Sequence, residues 1–171
     1  MGVYTIKNQE LVIEVHSFGA ELKSLKDQST GREYLWQADP AYWKRTSPVL
    51  FPLVGNYKNK EMRYQGNIYP MSQHGFARDK EFTCIRQEEK ELWFRLEADE
   101  ETKKSYPFAF VLEIGYELTE SRTVKVTWKV TNQDDKEMFF SIGGHPAFYC
   151  PLNPGGKQTD YSIYLEGAKE I

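Results

Sequence analysis

His74 and Arg78 lie four positions apart in MSQHGFARDK (71–80), with Gly75 between them and strand-like runs on either side. A neutral imidazole carries one hydrogen-bond donor and one acceptor, and a guanidinium presents a rigid fork of donors with a permanent charge. Together they suit a polyhydroxylated or anionic ligand. Gly75 lets the backbone turn sharply or come close to such a ligand. A second histidine, His145, sits in SIGGHPAFYC (141–150), where the apolar run MFFSI (138–142) opens into a Gly-Gly-His-Pro loop. Binding residues favour such loop positions on a rigid scaffold. With an ordinary pKa near 6.5, histidine can give or take a proton close to neutrality.

Plainer readings stand beside these. His74 could be a satisfied structural histidine, Arg78 could pair with Asp79 or Glu81, and His145 could cap a carbonyl in a turn. His16, close to a strand end in EVHSFGAEL, reads as structural. In SPVLFPLVGNYKN (47–59), two prolines frame Val-Leu-Phe and Gly55 ends the apolar run. Proline is poorly tolerated in central strands, so this stretch reads as an irregular or edge segment. It is either a loop anchored by Phe51 and Leu53 or the wall of a pocket.

The elements that must position these groups are strands. LVIEV (11–15), ELWFRLEA (91–98), AFVLEIGYEL (109–118) and RTVKVTWKVTN (122–132) all alternate with a period of two. The last is the clearest, with Val124, Val126, Trp128 and Val130 assigned inward and Lys125, Thr127 and Lys129 outward. One-sided alternation is the mark of antiparallel sheets with one wet face. QSTG (28–31), QGN (65–67), QEEK (87–90) and TESR (119–122) supply the turns. Helical periodicity is nearly absent: ADPAYWK (38–44) and DEETKKSYP (99–107) allow one short turn each. The expectation is an all-β fold, a large antiparallel β-sandwich in a single domain over residues 1–171. SIYLE (162–166) reads as a further strand opening a new section, so the chain is expected to be the N-terminal portion of a longer domain.

Composition narrows the function classes. The 171 residues are 40% hydrophobic and 15% aromatic, enough for a packed core and suited to sugar contacts. A net charge of −3 with mixed signs gives no basic surface for nucleic acid and no reason to expect an acidic membrane partner. No apolar run reaches the length of about 18 residues that a membrane helix needs. The start lacks the pattern of a secretory signal. Cys84 and Cys150 show no metal spacing and are expected to be reduced thiols in a cytoplasmic protein.

PVLFPLVGNYKN, QHGFARDKEF and FSIGGHPAF, in that order, resemble the aldose 1-epimerase (galactose mutarotase-like) family, in its LacX-like branch. The opening VIEVHSFGAELKSLKDQSTGREYLWQ is similar to that branch as well. The resemblance implies a β-supersandwich that binds a free or phosphorylated aldose in a cleft and interconverts its α and β anomers. It implies that His145 is the general acid and that His74 holds the sugar near its ring oxygen. Arg78 and Arg45 match arginines of the hexose-6-phosphate epimerase branch; Arg45 could equally pair with Asp39 or another surface acid. Asn56 stands where other mutarotases carry an arginine, which speaks against a fixed galactose preference. The family's base is a glutamate on a late strand. Asp160, Glu166 and Glu170 lie in no comparable context, so that base is expected beyond residue 171. No metal or organic cofactor is implied, since the reaction involves neither hydride nor carbanion. The expected partner is a small sugar or sugar phosphate, and a homo-oligomer is possible if a sheet edge stays open. A non-catalytic carbohydrate-binding module on the same scaffold is the competing reading.

Overall fold

The structure, a computed structural model, describes residues 1–120 and 122–167. Its framework is two antiparallel sheets. The first is β1 (Val3–Lys7), β2 (Leu11–His16) and β3 (Glu21–Asp27), paired in that order. Two short ladders follow in the chain. One is formed by β4 (Val49–Leu50) with a late strand; the other is the hairpin of β5 (Glu61–Tyr64) and β6 (Asn67–Pro70). The second main sheet holds β7 (Thr83–Gln87), β8 (Glu91–Glu97), β9 (Phe110–Leu118) and β10 (Val124–Asn132), in the order β10-β9-β8-β7. The last strand, β11 (Gly143–Gly144), pairs with β4. Among the described residues there is no α-helix, only four 3₁₀ turns. Among the described residues no helix is long and apolar enough to cross a membrane.

The alternating runs fold as alternation dictates. Leu11, Ile13 and Val15 of β2, Leu92, Phe94 and Leu96 of β8, and Phe110, Leu112, Ile114, Tyr116 and Leu118 of β9 are all buried in one core. The two sheets meet through edge-to-face contact of Tyr4 with Phe94, centroids 5.2 Å apart, and through Tyr116, whose hydroxyl donates to the Ala20 carbonyl at 2.7 Å. On the outer face, Glu113 of β9 is flanked by its register partners Arg95 of β8 and Lys129 of β10. It accepts from Arg95 at 2.9 Å and from Lys129 at 2.8 Å, so the buried carboxylate is paired on both sides. These two bases hold its pKa below the usual carboxylate range.

Three expectations are corrected. Val126 and Trp128 lie on the core-facing side of β10, as their register with Tyr116 and Ile114 requires, yet they are 43% and 39% exposed. Ile114, directly across from Trp128, is fully buried. The core is closed over β9 and open over β10. Residues 162–166, SIYLE, form no strand, and Ile163, Tyr164 and Leu165 are exposed, because no edge pairs with them among the described residues. MFFSI contains no regular strand either; the residues that pair there are the glycines themselves, β11. A Cβ on Gly144 would meet Trp128 at 3.0 Å and one on Gly143 would meet Val54 at 3.2 Å, so small residues permit the close approach. Ser121 of the TESR turn lies outside the described residues, as does Glu170.

This contrast between β9 and β10 can be measured. Ile114→Ala should cost about 2–5 kcal/mol in urea unfolding, whereas Val126→Ala should cost under about 1 kcal/mol. Equal losses would show that the core also closes over β10.

Candidate active site

The segment from Thr46 to Gly55 carries the candidate site. It begins at an anchor that sequence reasoning missed: Glu21, buried at the start of β3, accepts from the backbone N–H groups of Thr46 and Ser47, both at 2.8 Å. Lys23 Nζ lies 3.5 Å from its second oxygen. No local pattern in the sequence signals this role, because Glu21 pairs with His16 on the face opposite the core residues Val15 and Leu22. From there the chain runs through β4 to Phe51, which is fully buried and packs against Phe76, Tyr106, Phe110 and Phe140 with centroids 5.1–6.5 Å apart. The stretch read as irregular or edge-like is thus a buried two-stranded ladder followed by a bend, with a cis Phe51–Pro52 peptide.

Both motif histidines hang on this one segment, from opposite sides. On one side the β11 chain docks: Ser141 N–H donates to the Pro52 carbonyl at 3.0 Å, Gly143 and Gly144 pair with Leu50 and Val49, and His145 N–H donates to the Pro48 carbonyl at 3.1 Å. On the other side Gly75 forms a parallel bridge to Phe51, and the Phe51 carbonyl accepts from the N–H groups of Phe76 and Ala77 at 3.0 and 3.1 Å. His74 N–H donates to the Gly55 carbonyl at 2.8 Å. Gly75 is required: its φ is +73°, and a Cβ there would stand 2.1 Å from the Phe51 oxygen. His74 itself adopts φ +65°, a conformation few non-glycine residues take.

The geometry fixes the protonation of His74. Gly55 N–H donates to its Nδ1 at 3.0 Å. A backbone amide can only donate, so Nδ1 presents its lone pair and the neutral ring carries its proton on Nε2. Burial pushes the His74 pKa below its ordinary value of 6.5, and the nearby Arg78 and His145 push it the same way. The backbone at His74, at Ala77 beside Arg78, and at His145 is bonded to the one segment Pro48–Gly55. His145 is exposed, and its ring packs on Trp43 with centroids 4.9 Å apart and a tilt of 46°. Trp43 is a second neighbour that the sequence did not single out.

Arg78 lies in the 3₁₀ turn Ala77–Asp79. It donates to the Gln73 carbonyl at 2.7 Å, and its Nε is buried without a hydrogen-bond partner among the described residues, 3.7 Å from Asp79. Burial and the neighbouring Arg45 both lower its pKa, while Asp79 opposes them. Arg45 pairs with Asp79 at 2.7 Å, not with Asp39. The two guanidiniums therefore share one carboxylate. Asn56 is exposed directly after the glycine that fixes His74. A cavity of about 630 Å³ lies between the two main sheets, and neither histidine ring lines it. It is lined instead by Gly144 and Pro146, on either side of His145. Among the described residues no three His, Cys, Asp or Glu side chains cluster as a metal site, and no carboxylate bonds either imidazole.

Comparison with known proteins agrees with this architecture. Residues 2–169 match the model of the aldose 1-epimerase family. The plasmid-encoded protein LacX of Lactococcus lactis subsp. lactis is 37% identical over 164 residues, 92% of this chain and 54% of that protein. A galactose mutarotase related enzyme from Lactobacillus acidophilus superposes with a TM-score of 0.90 at 39% identity, covering 93% of this chain and 53% of that one. A galactose mutarotase-like protein from Lactobacillus casei superposes with a TM-score of 0.85 at 38% identity, covering 90% and 52%. The chain spans about half the length of the curated relatives it matches.

Two outcomes follow from this geometry. Gly75→Ala should destabilise the fold by at least about 2 kcal/mol, since left-handed strain adds to a backbone collision; a urea midpoint like that of the parent would contradict it. In a nitrogen-15 NMR titration, His74 should be the Nε2–H tautomer at pH 7 with a midpoint below 6.5. Its folded pKa is depressed, so the stability linked to it is whole above the unfolded value and is lost as pH falls through the folded one.

Proposed function

The chain belongs to the aldose 1-epimerase family, and from that membership we propose that it serves the interconversion of α and β anomers of a hexose or hexose phosphate. In this reading the C1–ring-oxygen bond breaks as a base takes the C1 hydroxyl proton and an acid protonates the ring oxygen; after rotation about C1–C2 the ring closes with the roles reversed. His145 is the acid: it is exposed, mounted on a short loop, and free of any side-chain hydrogen bond among the described residues. His74 holds the sugar near its ring oxygen through its Nε2–H. Its Nδ1 is already taken by Gly55, so it donates from a fixed direction. Arg78, Arg45 and Asn56 bind hydroxyls or a phosphate, the guanidiniums as bidentate forks. The base is a glutamate from the part of the family's sequence that this chain's match leaves uncovered. Only protons and one C–O bond move, so the reaction needs no cofactor.

The observation that carries the reading is the suspension of both imidazoles, from distant parts of the chain, on the single segment Pro48–Gly55. A second reading, a carbohydrate-binding module without catalysis, is favoured by one fact: no carboxylate bonds either ring among the described residues.

Polarimetry of freshly dissolved α-glucose and α-galactose, and NMR exchange spectroscopy of their 6-phosphates, separate the two. If the enzymatic reading holds, any acceleration over buffer falls by about 10² or more in His145→Ala, the size of a positioned proton transfer. Sugar binding by calorimetry with no acceleration favours the binding module. Acceleration that survives His145→Ala removes His145 from the chemistry.

A further inference from the structure

The loop that carries Trp43 builds a second feature beside His145. Trp36 and Trp43 are half-buried, whereas Tyr42 is 82% exposed and Phe148 is 52% exposed. With Ala147 they line a recess of about 360 Å³. Trp36 braces it: its backbone N–H donates to the Ala147 carbonyl and its indole N–H donates to the Trp43 carbonyl, both at 2.9 Å. Asp39 turns the chain between the two tryptophans, its carbonyl accepting from the N–H groups of Tyr42 and Trp43 at 3.1 and 2.9 Å. Trp36 also meets Tyr42 and Tyr149 edge-on, with centroids 6.0 and 5.7 Å apart. The rings are thus fixed by hydrogen bonds to main chain, and no residue lining the recess is charged.

We propose that this recess is an aromatic subsite for a second pyranose ring, so that the chain takes the reducing end of a disaccharide or longer saccharide. The inference rests on the sugar reading for the position of the first ring. An acid at His145 holds that ring within hydrogen-bond reach, and the Trp43 ring lies 4.9 Å from the imidazole, centroid to centroid. A ring joined to the first on that side would lie against Trp43. A pyranose offers flat C–H faces and a rim of hydroxyls. Indole and phenol match it, with apolar faces and an N–H or O–H group at their edges. Rigid Trp and Tyr side chains also lose little conformational entropy on contact. The uncharged lining selects a neutral ligand, while Arg45 lines a different recess. The chemistry permits the extension. Anomer exchange moves the C1 hydroxyl proton and the bond from C1 to the ring oxygen, so a glycosidic bond at another carbon of the same ring is untouched.

The chain has four tryptophans, so their indole N–H resonances report directly on the recess. Glucose and galactose are titrated into the nitrogen-15-labelled chain and compared with maltose, lactose and 1,4-linked galactobiose, which end in the same two sugars. The expected result is that a disaccharide shifts Trp36 and Trp43, leaves Trp93 and Trp128 in place, and binds about 10-fold tighter than the matching monosaccharide. Tyr42→Ala, at a position 82% exposed, should bring that ratio to about 1 with the thermal midpoint of the parent. Three results would overturn the subsite: a ratio near 1 in the parent chain, a ratio that survives Tyr42→Ala, or shifts of Trp128 in place of Trp36 and Trp43. A monosaccharide that binds as tightly as its disaccharide leaves the anomer-exchange reading standing. Disaccharide binding without anomer exchange removes that reading and keeps the subsite. No shift with any sugar removes both.

Discussion

The carbonyl of Phe51 is the point on which the candidate site depends. It accepts two backbone donors from the turn after Gly75, while Gly75 itself presses against it too closely for any side chain. That contact sets where His74 can be. Three residues earlier in the chain, the Pro48 carbonyl holds His145 from the opposite side. Backbone hydrogen bonds between buried groups are costly to leave unmade. The two imidazoles are therefore positioned by main-chain geometry rather than by contacts between their own side chains. A ring positioned in this way is pre-organised, and pre-organisation is what proton transfer at a fixed distance requires.

The electrostatics follow from that placement. His74 sits among positive or potentially positive neighbours in a partly buried setting, and its Nδ1 is committed to a donor. It is a neutral hydrogen-bond donor near pH 7. His145 is exposed and packs at a tilt against Trp43, and its ring makes no side-chain hydrogen bond among the described residues. The two histidines thus have different capacities although they share a segment. Arg45 and Arg78 share the carboxylate of Asp79, and Lys23, Lys44 and Glu21 line the same recess as Arg45, so cations outnumber carboxylates there and suit an electron-rich ligand.

Much of the fold was legible because alternation is a local signal. The alternation of the runs that form β2, β8 and β9, whose apolar sets are buried in one core, was legible from period two alone. The open face of β10 was not, since a periodic pattern reveals which side is apolar but not whether anything covers it. SIYLE failed for the same reason: strand propensity needs an edge to pair with, and the described residues offer it none. At the site, His74, Arg78 and His145 stood out through their glycine and proline neighbours. Glu21 and Trp43 were invisible because their roles are set by long-range contacts, 25 and 102 positions away in the chain. Which surface acid Arg45 pairs with, Asp79, is likewise a fact of tertiary structure.

Glu21 ties the first sheet to the start of the segment that bears both histidines. Two amides of that segment close on one carboxylate oxygen, and the carboxylate belongs to a strand that comes far nearer the N-terminus. The N-terminal hairpins are thereby made into a foundation for the site, and they reach its edge, where Gly19 lies against the Arg78 carbonyl and Glu21 and Lys23 line a recess with Arg45. Sequence drift in β3 would register as misalignment of the imidazole pair, so the evolutionary freedom of that strand is limited by chemistry centred on other elements.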